Sequence, residues 1–439
     1  MSVRYPSVRV SLRVLAPVLI LVLAPLAASA QEPLSDFERR LGSRMLGSAR
    51  AWLDSLYYDS TYGGRNLDEL EWRAQKVIDT ASTRAVVFAA IAQFLQHLND
   101  SHTRFIPPGL SVEMDYGWSW RMIGDDCFVT GVRKKSDAEA KGLTVGDKVL
   151  GIDGIKPTRA NTGVIWYVYH LLSPRGGMRL YVERQDGTRE SVAFEAKVTR
   201  RPEWLDLDNL EHLRILWDES DLASKIEYRW RVRDSVALWR FSSFGYRDDR
   251  LDRYMQDARR YPWLILDLRG NPGGAVEGVT RLLGHFVDDS VPGFTQRWRD
   301  STVEYTIRPR GRGGRYAGQA IVLIDSKSAS GAELTARVLQ QHGRAMVVGD
   351  RSSGQLTAAL TLSLADRASG RIIPYGVTVT VFDIVMPDGA HVEKQGVMPN
   401  VAALPTGRDL AEGNDPAMQV ALELAGVKVS AAEAARIWK

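Results

Sequence analysis

The chain has 439 residues and one cysteine, Cys127. A single thiol cannot close an internal disulfide, so the fold has no intramolecular covalent staple. Cys127 lies in the run CFVTGV and reads as a small core hydrophobe rather than a nucleophile. The first thirty positions contain no acidic residue but carry Arg4, Arg9 and Arg13. Without those three, 54 basic residues stand against 53 acidic ones. The net charge of +4 and the pI near 9.0 therefore do not mark a nucleic-acid binder. The HExxH motif is absent, and His391, two residues from Glu393, has no companions at zinc spacing, so no metal is expected. There is no internal repeat and no low-complexity segment. What remains is ordinary for a globular protein of two or three domains: 44% hydrophobic and 25% charged residues.

Residues 1–30 read as a secretory signal peptide. Three arginines precede an apolar run from Val14 to Leu26, and Ala28-Ser29-Ala30 offers small residues for cleavage before Gln31. The alternative is an uncleaved anchor, but the run is short for a span and is broken by Pro17 and Pro25. An exported chain without disulfides suits a periplasm, or secretion without disulfide stapling.

Three modules follow. Residues 31–109 read as helical: Phe37, Leu41, Met45 and Leu46 repeat at helical spacing, and further helices are expected over Glu69–Thr80 and Arg84–Leu98. The last leads into Asp100-Ser101-His102-Thr103; a lone histidine there is more often structural than catalytic. Residues 110–198 read as a β-rich module, with strands expected at Cys127–Val132, Lys148–Ile152, Arg179–Arg184 and Ser191–Phe194 and a helix over Asn161–Leu172. Residues 199–439 begin with a charged, Trp-containing connector to about 235 and then alternate strands and helices, which predicts a mostly parallel α/β sheet. Strands are expected at Val236–Arg240, Trp263–Leu268, Ala358–Leu364 and Thr378–Ile384, and a helix over Val276–Val287.

The segment the rest serves is IVLIDSKSASGAELTARVLQQHGRAMVVGDRSSGQ, Ile321 to Gln355. An apolar strand, Ala320–Ile324, passes through a polar turn into a helix over Glu333–Gln341, and a second strand follows at Ala345–Val348. Ser330 sits where strand gives way to helix, beside free N–H groups that can hold an oxyanion. The plainer reading makes Ser328 or Ser330 only an N-cap. A second stretch, WLILDLRGNPGG at Trp263–Gly274, ends in glycines whose bare N–H groups could complete such a hole. Asp267 and Arg269 beside it read as a structural ion pair before they read as substrate-placing residues.

These two stretches together resemble the tail-specific, or C-terminal processing, serine peptidase family. Ser328-Ala329-Ser330 with Glu333 is similar to its S-A-S-x-x-E segment, and Asp267 to Gly274 to its D-x-R-x-N-x-G-G signature. Glu393-Lys394-Gln395-Gly396-Val397-Met398-Pro399-Asn400 resembles its late E-x-x-G-V-x-P-D segment, with Asn400 replacing the Asp. The run from Ala138 through Gly142, Leu143, Gly146, Asp147 and Val149 to Gly154 resembles a PDZ domain, which implies binding of an extended peptide, often a C-terminus. Gly117 and Trp118 fall where a carboxylate-binding loop would lie, although Trp118 and Trp120 also suit plain packing.

One branch of the family pairs its serine with a lysine in G-x-x-x-x-G-K-G. This chain has Gln355 at the lysine position, and glutamine cannot take a proton. The tricorn-like branch uses a Ser-His-Ser-Glu tetrad with its histidine in D-S-H-T. The resemblance implies Ser330 as nucleophile, His102 as base, Ser101 as its orienter, Glu393 as the group polarising Ser101, and the N–H groups of Gly274 and Gly331 as oxyanion donors. Ser328 and Lys327 remain rivals as nucleophile and base. The implied fold is multi-domain α/β: a helical N-terminal module, a PDZ domain and a ClpP/crotonase-like α/β catalytic core. The implied activity is hydrolysis of unfolded or C-terminally recognised polypeptides, with no metal and no cofactor. The competing reading is an inactive relative that binds peptides or lipophilic ligands.

Overall fold

Three α-helices carry the chain to the first site segment. The computed structural model describes residues 34–108, 112–200, 226–246, 248–310, 314–368 and 371–439; the expected signal peptide and most of the connector after 198 lie outside them. Helix α1 (Asp36–Leu56) starts at Ser35, whose hydroxyl and Glu38 form a reciprocal capping box. Asn66 and Thr83 cap α2 (Leu67–Asp79) and α3 (Arg84–Gln96) without that reciprocal bond, each side chain accepting the amide three residues on. The apolar side chains Met45, Leu46, Ile78, Ile91 and Phe94 of these helices are fully buried together. After α3 the backbone turns through Asn99 at φ 59° and enters strand β1 (Arg104–Ile106).

The second module is a five-stranded antiparallel sheet. A short strand β2 (Val112–Asp115) precedes β3 (Trp118–Ile123), β4 (Asp126–Val132), β5 (Lys148–Ile152), β6 (Gly177–Glu183) and β7 (Arg189–Glu195), which pair in the order β3-β4-β5-β6-β7. Helix α4 (Asp137–Ala140) and helix α5 (Thr162–Tyr167), continued by a wider turn over Val168–Leu172, cover it. The alternation of buried Met178, Leu180 and Val182 with outward residues is what one covered face requires. Cys127 is buried as expected, and burial pushes its thiol pKa far up. Strand β8 (Lys197–Arg200) returns to pair with β2.

The third module is built on a six-stranded sheet. It starts with β9 (Tyr228–Arg233) and β10 (Val236–Phe241), then helix α6 (Arg250–Ala258), β11 (Trp263–Asp267) and helix α7 (Val276–Leu283). The hairpin β12 (Val291–Trp298) and β13 (Thr302–Ile307) intervenes before β14 (Gln319–Ile324), helix α8 (Gly331–Gln341) and β15 (Ala345–Gly349). The long strands β16 (Thr357–Ala368) and β17 (Arg371–Val385) form a second hairpin, followed by β18 (Val401–Ala402) and helices α9 (Gly407–Glu412), α10 (Pro416–Leu424) and α11 (Ala431–Ala434). The order is β18-β15-β14-β11-β10-β9, parallel except for β9. In β14 every residue from Ala320 to Ile324 is buried, because helices cover both faces. Ala320, Val322 and Ile324 pack toward α7 and α8, while Ile321 and Leu323 pack toward α10.

Two features tie the modules together. Strand β17 pairs with β1 over Gly376–Thr378, so the end of the helical module joins a second, five-stranded sheet formed with β12, β13 and β16. The second module sits directly on the turns that leave the parallel sheet. Arg159 donates to Asp350 at 2.7 Å and to the carbonyl of Arg351 at 3.0 Å, and Arg121 pairs with Asp325 at 2.7 Å.

Candidate active site

The turn Asp325–Ser330 leaves the carboxyl end of β14 and is held by its own polar groups. Ser328 is fully buried, donates to the carbonyl of Leu268 at 2.8 Å and accepts the Asp325 N–H at 2.9 Å. Its hydroxyl is structural. Lys327 is exposed. Ser330 stands just before α8 with φ 50° and ψ −116°, a region that L-residues occupy only when their surroundings enforce it. The enforcing group is Glu333. Its buried carboxylate accepts the Ser330 N–H at 3.0 Å and the Gln355 N–H at 2.9 Å on one oxygen. The other oxygen accepts the Gly354 N–H at 2.6 Å and the Ser352 hydroxyl at 2.5 Å. Burial pushes this carboxyl up to about 7, against the pull of those donors.

The glycine turn faces the same serine. Asn271 directs it, donating to the carbonyl of Phe241 at 3.0 Å and accepting the Gly273 N–H at 2.8 Å. Gly273 has φ 103° and Gly274 has φ 134°. A Cβ on Gly273 would lie 2.6 Å from Gly331 N and 2.7 Å from the Ser330 Cβ, so only glycine fits. The Gly274 and Gly331 N–H groups have no acceptor among the described residues.

His102, Ser101 and Glu393 come together from opposite ends of the chain. Asp100 fixes the turn, accepting from the His102 and Thr103 amides at 2.9 and 2.6 Å. The Ser101 hydroxyl lies 2.7 Å from His102 Nδ1 and donates to Glu393 at 3.1 Å. Glu393 also accepts the Ser101 N–H at 3.0 Å and the Leu356 N–H at 2.8 Å. Its carboxyl is raised by burial, while its donors oppose that rise. Burial lowers the His102 pKa, Asp100 works against that shift and Arg104 adds to it. The ring is therefore neutral at neutral pH, the form a general base needs.

Ser330 joins this group through the backbone rather than by a hydrogen bond to His102. The Ser330 N–H donates to the Gln355 carbonyl at 2.9 Å, Leu356 donates to Glu393, and the Thr357 hydroxyl lies 2.8 Å from His102 Nδ1. Three consecutive residues thus touch the serine, the glutamate and the histidine. Thr357 escapes sequence reading, since no spacing rule ties it to a histidine 255 positions earlier. Gln355 serves through its backbone, with its side chain exposed.

The remaining expected residues lie elsewhere in the bonding. The Gly117 N–H already donates to Asp115 at 2.9 Å, and its carbonyl accepts from Arg133 at 2.8 Å. Trp118 stacks on Trp120 with ring centroids 6.1 Å apart and meets Phe194 edge-on. Asp267 and Arg269 form the expected buried ion pair at 2.8 Å, extended to Asp415 at 2.7 Å. His391 lies 3.2 Å from Asp383, and among the described residues no cluster of metal-ligating side chains forms.

The chain is similar to known proteases. Residues 235–403 match the model of peptidase family S41. The carboxyl-terminal-processing protease of Picosynechococcus is 26% identical over 380 residues, which cover 81% of this chain and 82% of that protein. The carboxy-terminal processing protease CtpB of Bacillus subtilis is 24% identical over 271 residues, covering 61% of this chain but only 51% of the relative. The crystal structure of mature CPAF superposes with a TM-score of 0.64 at 16% identity, over 86% of this chain and 95% of that one, and supports the fold. Residues 235–403 thus match peptidase family S41, and this match together with the likeness to the carboxyl-terminal processing proteases supports a serine peptidase.

Proposed function

We propose that the chain cleaves polypeptides through a Ser-His-Ser-Glu tetrad of Ser330, His102, Ser101 and Glu393. The observation that carries this reading is the Gln355-Leu356-Thr357 segment, which holds Ser330, Glu393 and His102 at one place. The Ser101 hydroxyl gives its proton to Glu393, so it accepts from His102 Nδ1–H, and the basic lone pair is left on Nε2. Nε2 takes the proton of Ser330 as its oxygen attacks the peptide carbonyl. The Gly274 and Gly331 N–H groups receive the oxyanion. Imidazolium then protonates the leaving amine, and water releases the acyl group by the same steps in reverse order.

Residues 1–30 serve as the export signal, 31–109 as the helical module, 110–198 as a PDZ domain and 199–439 as a ClpP/crotonase-like core. The PDZ domain takes the C-terminus of an unfolded substrate. For Gly117 to hold a carboxylate, its N–H would have to exchange Asp115 for the ligand. Delivery of substrate by this module is supported by Arg121, which pairs with Asp325 in the turn that leads to Ser330, and by Arg159, which pairs with Asp350.

The test is casein cleavage and labelling by a fluorophosphonate. Ser330→Ala should lose both. His102→Ala should lose cleavage, and Gln355→Ala should keep it. Full activity in His102→Ala would refute the tetrad, and a wild-type chain that neither cuts nor labels would make it a binding protein.

A further inference from the structure

Beyond the carboxyl ends of the parallel strands lies a cavity of about 620 Å³. It lies toward α9, α10 and the end of α11, where Leu410, Ala417 and the C-cap residue Ala435 line it, whereas Ser330 precedes the helix that packs on the other face. Arg121 and Ile123 of β3 form another wall. In open parallel sheets the space beyond the strand ends is where ligands commonly bind.

The charges in this cavity do not cancel. Each carboxylate in its wall already has a cation: Asp325 pairs with Arg121, Asp350 with Arg159 and Asp415 with Arg269, each at 2.7 Å. Three cations in the wall, Arg240, Lys327 and the exposed Lys439, form no ion pair among the described residues. Arg240, half-buried near the end of β10, hydrogen-bonds the carbonyl of Arg269 at 3.5 Å, and its charge also acts on Asp267, whose carboxylate is already held by Arg269. The Nε of Arg121 is buried there with no acceptor. Buried or half-buried cations with unspent donors are costly unless an anion satisfies them, and a guanidinium suits a planar or tetrahedral oxyanion.

We propose that this cavity is a binding site for a small multivalent oxyanion, a phosphate or a carboxylate, held by Arg240 and Lys327. The site is separate from the catalytic group but touches its supports. Gly270, which lines the cavity, donates to Asp325 at 2.9 Å, so the glycine turn and the serine turn are joined at its edge.

Isothermal titration of the full chain with inorganic phosphate and with citrate, against chloride at equal ionic strength, tests the site. Saturable binding of one anion per chain is expected, and whichever binds tighter identifies the ligand as phosphate or carboxylate. Arg240→Gln and Lys327→Gln should each weaken binding about tenfold or more, with Arg240→Lys between wild type and Arg240→Gln. Lys327 is exposed, so its variant folds even if Arg240→Gln does not. Heats no larger than those of chloride, or affinities equal to wild type in both glutamine variants, would overturn the proposal. None of these readings depends on peptidase activity.

Discussion

Thr357 Oγ1 lies 2.8 Å from His102 Nδ1, the same ring nitrogen that the Ser101 hydroxyl reaches at 2.7 Å. One nitrogen thus faces two hydroxyls, and a single N–H can be shared between them. The Ser101 hydroxyl, which donates to Glu393, favours the tautomer with its proton on Nδ1, and Thr357 can accept a share of that N–H. Thr357→Val keeps the shape and removes one acceptor. We expect kcat to fall about tenfold with KM unchanged, because positioning partners of this kind are commonly worth 10- to 100-fold. Ser101→Ala should cost more, since it also breaks the path to Glu393. Steady-state kinetics on a peptide substrate measures both; an unchanged kcat in Thr357→Val would show the contact to be idle.

The acid limb of the pH profile should lie low. Burial depresses His102 below its usual value near 6.5, and the neutral ring is the active form. Activity lost on acidification is therefore lost below pH 6.5, not above it. Asp100 opposes the depression, so Asp100→Asn should move the midpoint lower still. A wild-type kcat/KM midpoint above 6.5 would contradict the assignment of His102 as base.

Glu333 carries a stability prediction. In Glu333→Gln an amide NH2 replaces one oxygen and meets donors on whichever side it takes. Two buried donors lose their acceptor, which costs about 2 kcal/mol or more. The carboxyl is raised to about 7 from 4.5, so its contribution to stability is full below pH 4.5 and is lost as pH rises through about 7. Urea unfolding at several pH values should show that slope in the wild type and not in Glu333→Gln.

Much of the parallel sheet could be read from the sequence, because strands buried on both faces are unbroken apolar runs. The expected bounds at Val236–Arg240, Ala320–Ile324 and Ala345–Val348 agree with the observed strands to within a residue. The hairpin of β12 and β13 could not be read this way, since Thr302–Ile307 is mostly exposed and its pattern blurs. Strand β9 lay hidden in what reads as a charged connector: the arginines of YRWRVR suit a sheet edge, not a core. The site was legible only where a motif marks it. Ser101 and Glu393 are 292 residues apart, and β17 with its following turn brings them together. Thr357 and the Gln355 carbonyl act through register and backbone, which no residue type announces.

The glycine turn gives the sharpest test of the oxyanion site. Gly273→Ala would place a methyl group 2.6 Å from Gly331 N and 2.9 Å from the Ala329 carbonyl, both backbone atoms that cannot swing aside. The serine turn must shift, carrying a proposed oxyanion donor with it. Loss of one such donor commonly costs 10²- to 10³-fold in kcat. Gly270→Ala is the control. It has a positive φ of 72° but open space around a Cβ, so it bears only the backbone strain, about 1–2 kcal/mol. We therefore expect Gly273→Ala to lose activity by about 100-fold or more, with its fold retained by circular dichroism. Gly270→Ala should lose stability but keep most of its kcat. Equal activity in the two variants would remove the Gly273-Gly274 turn from the mechanism.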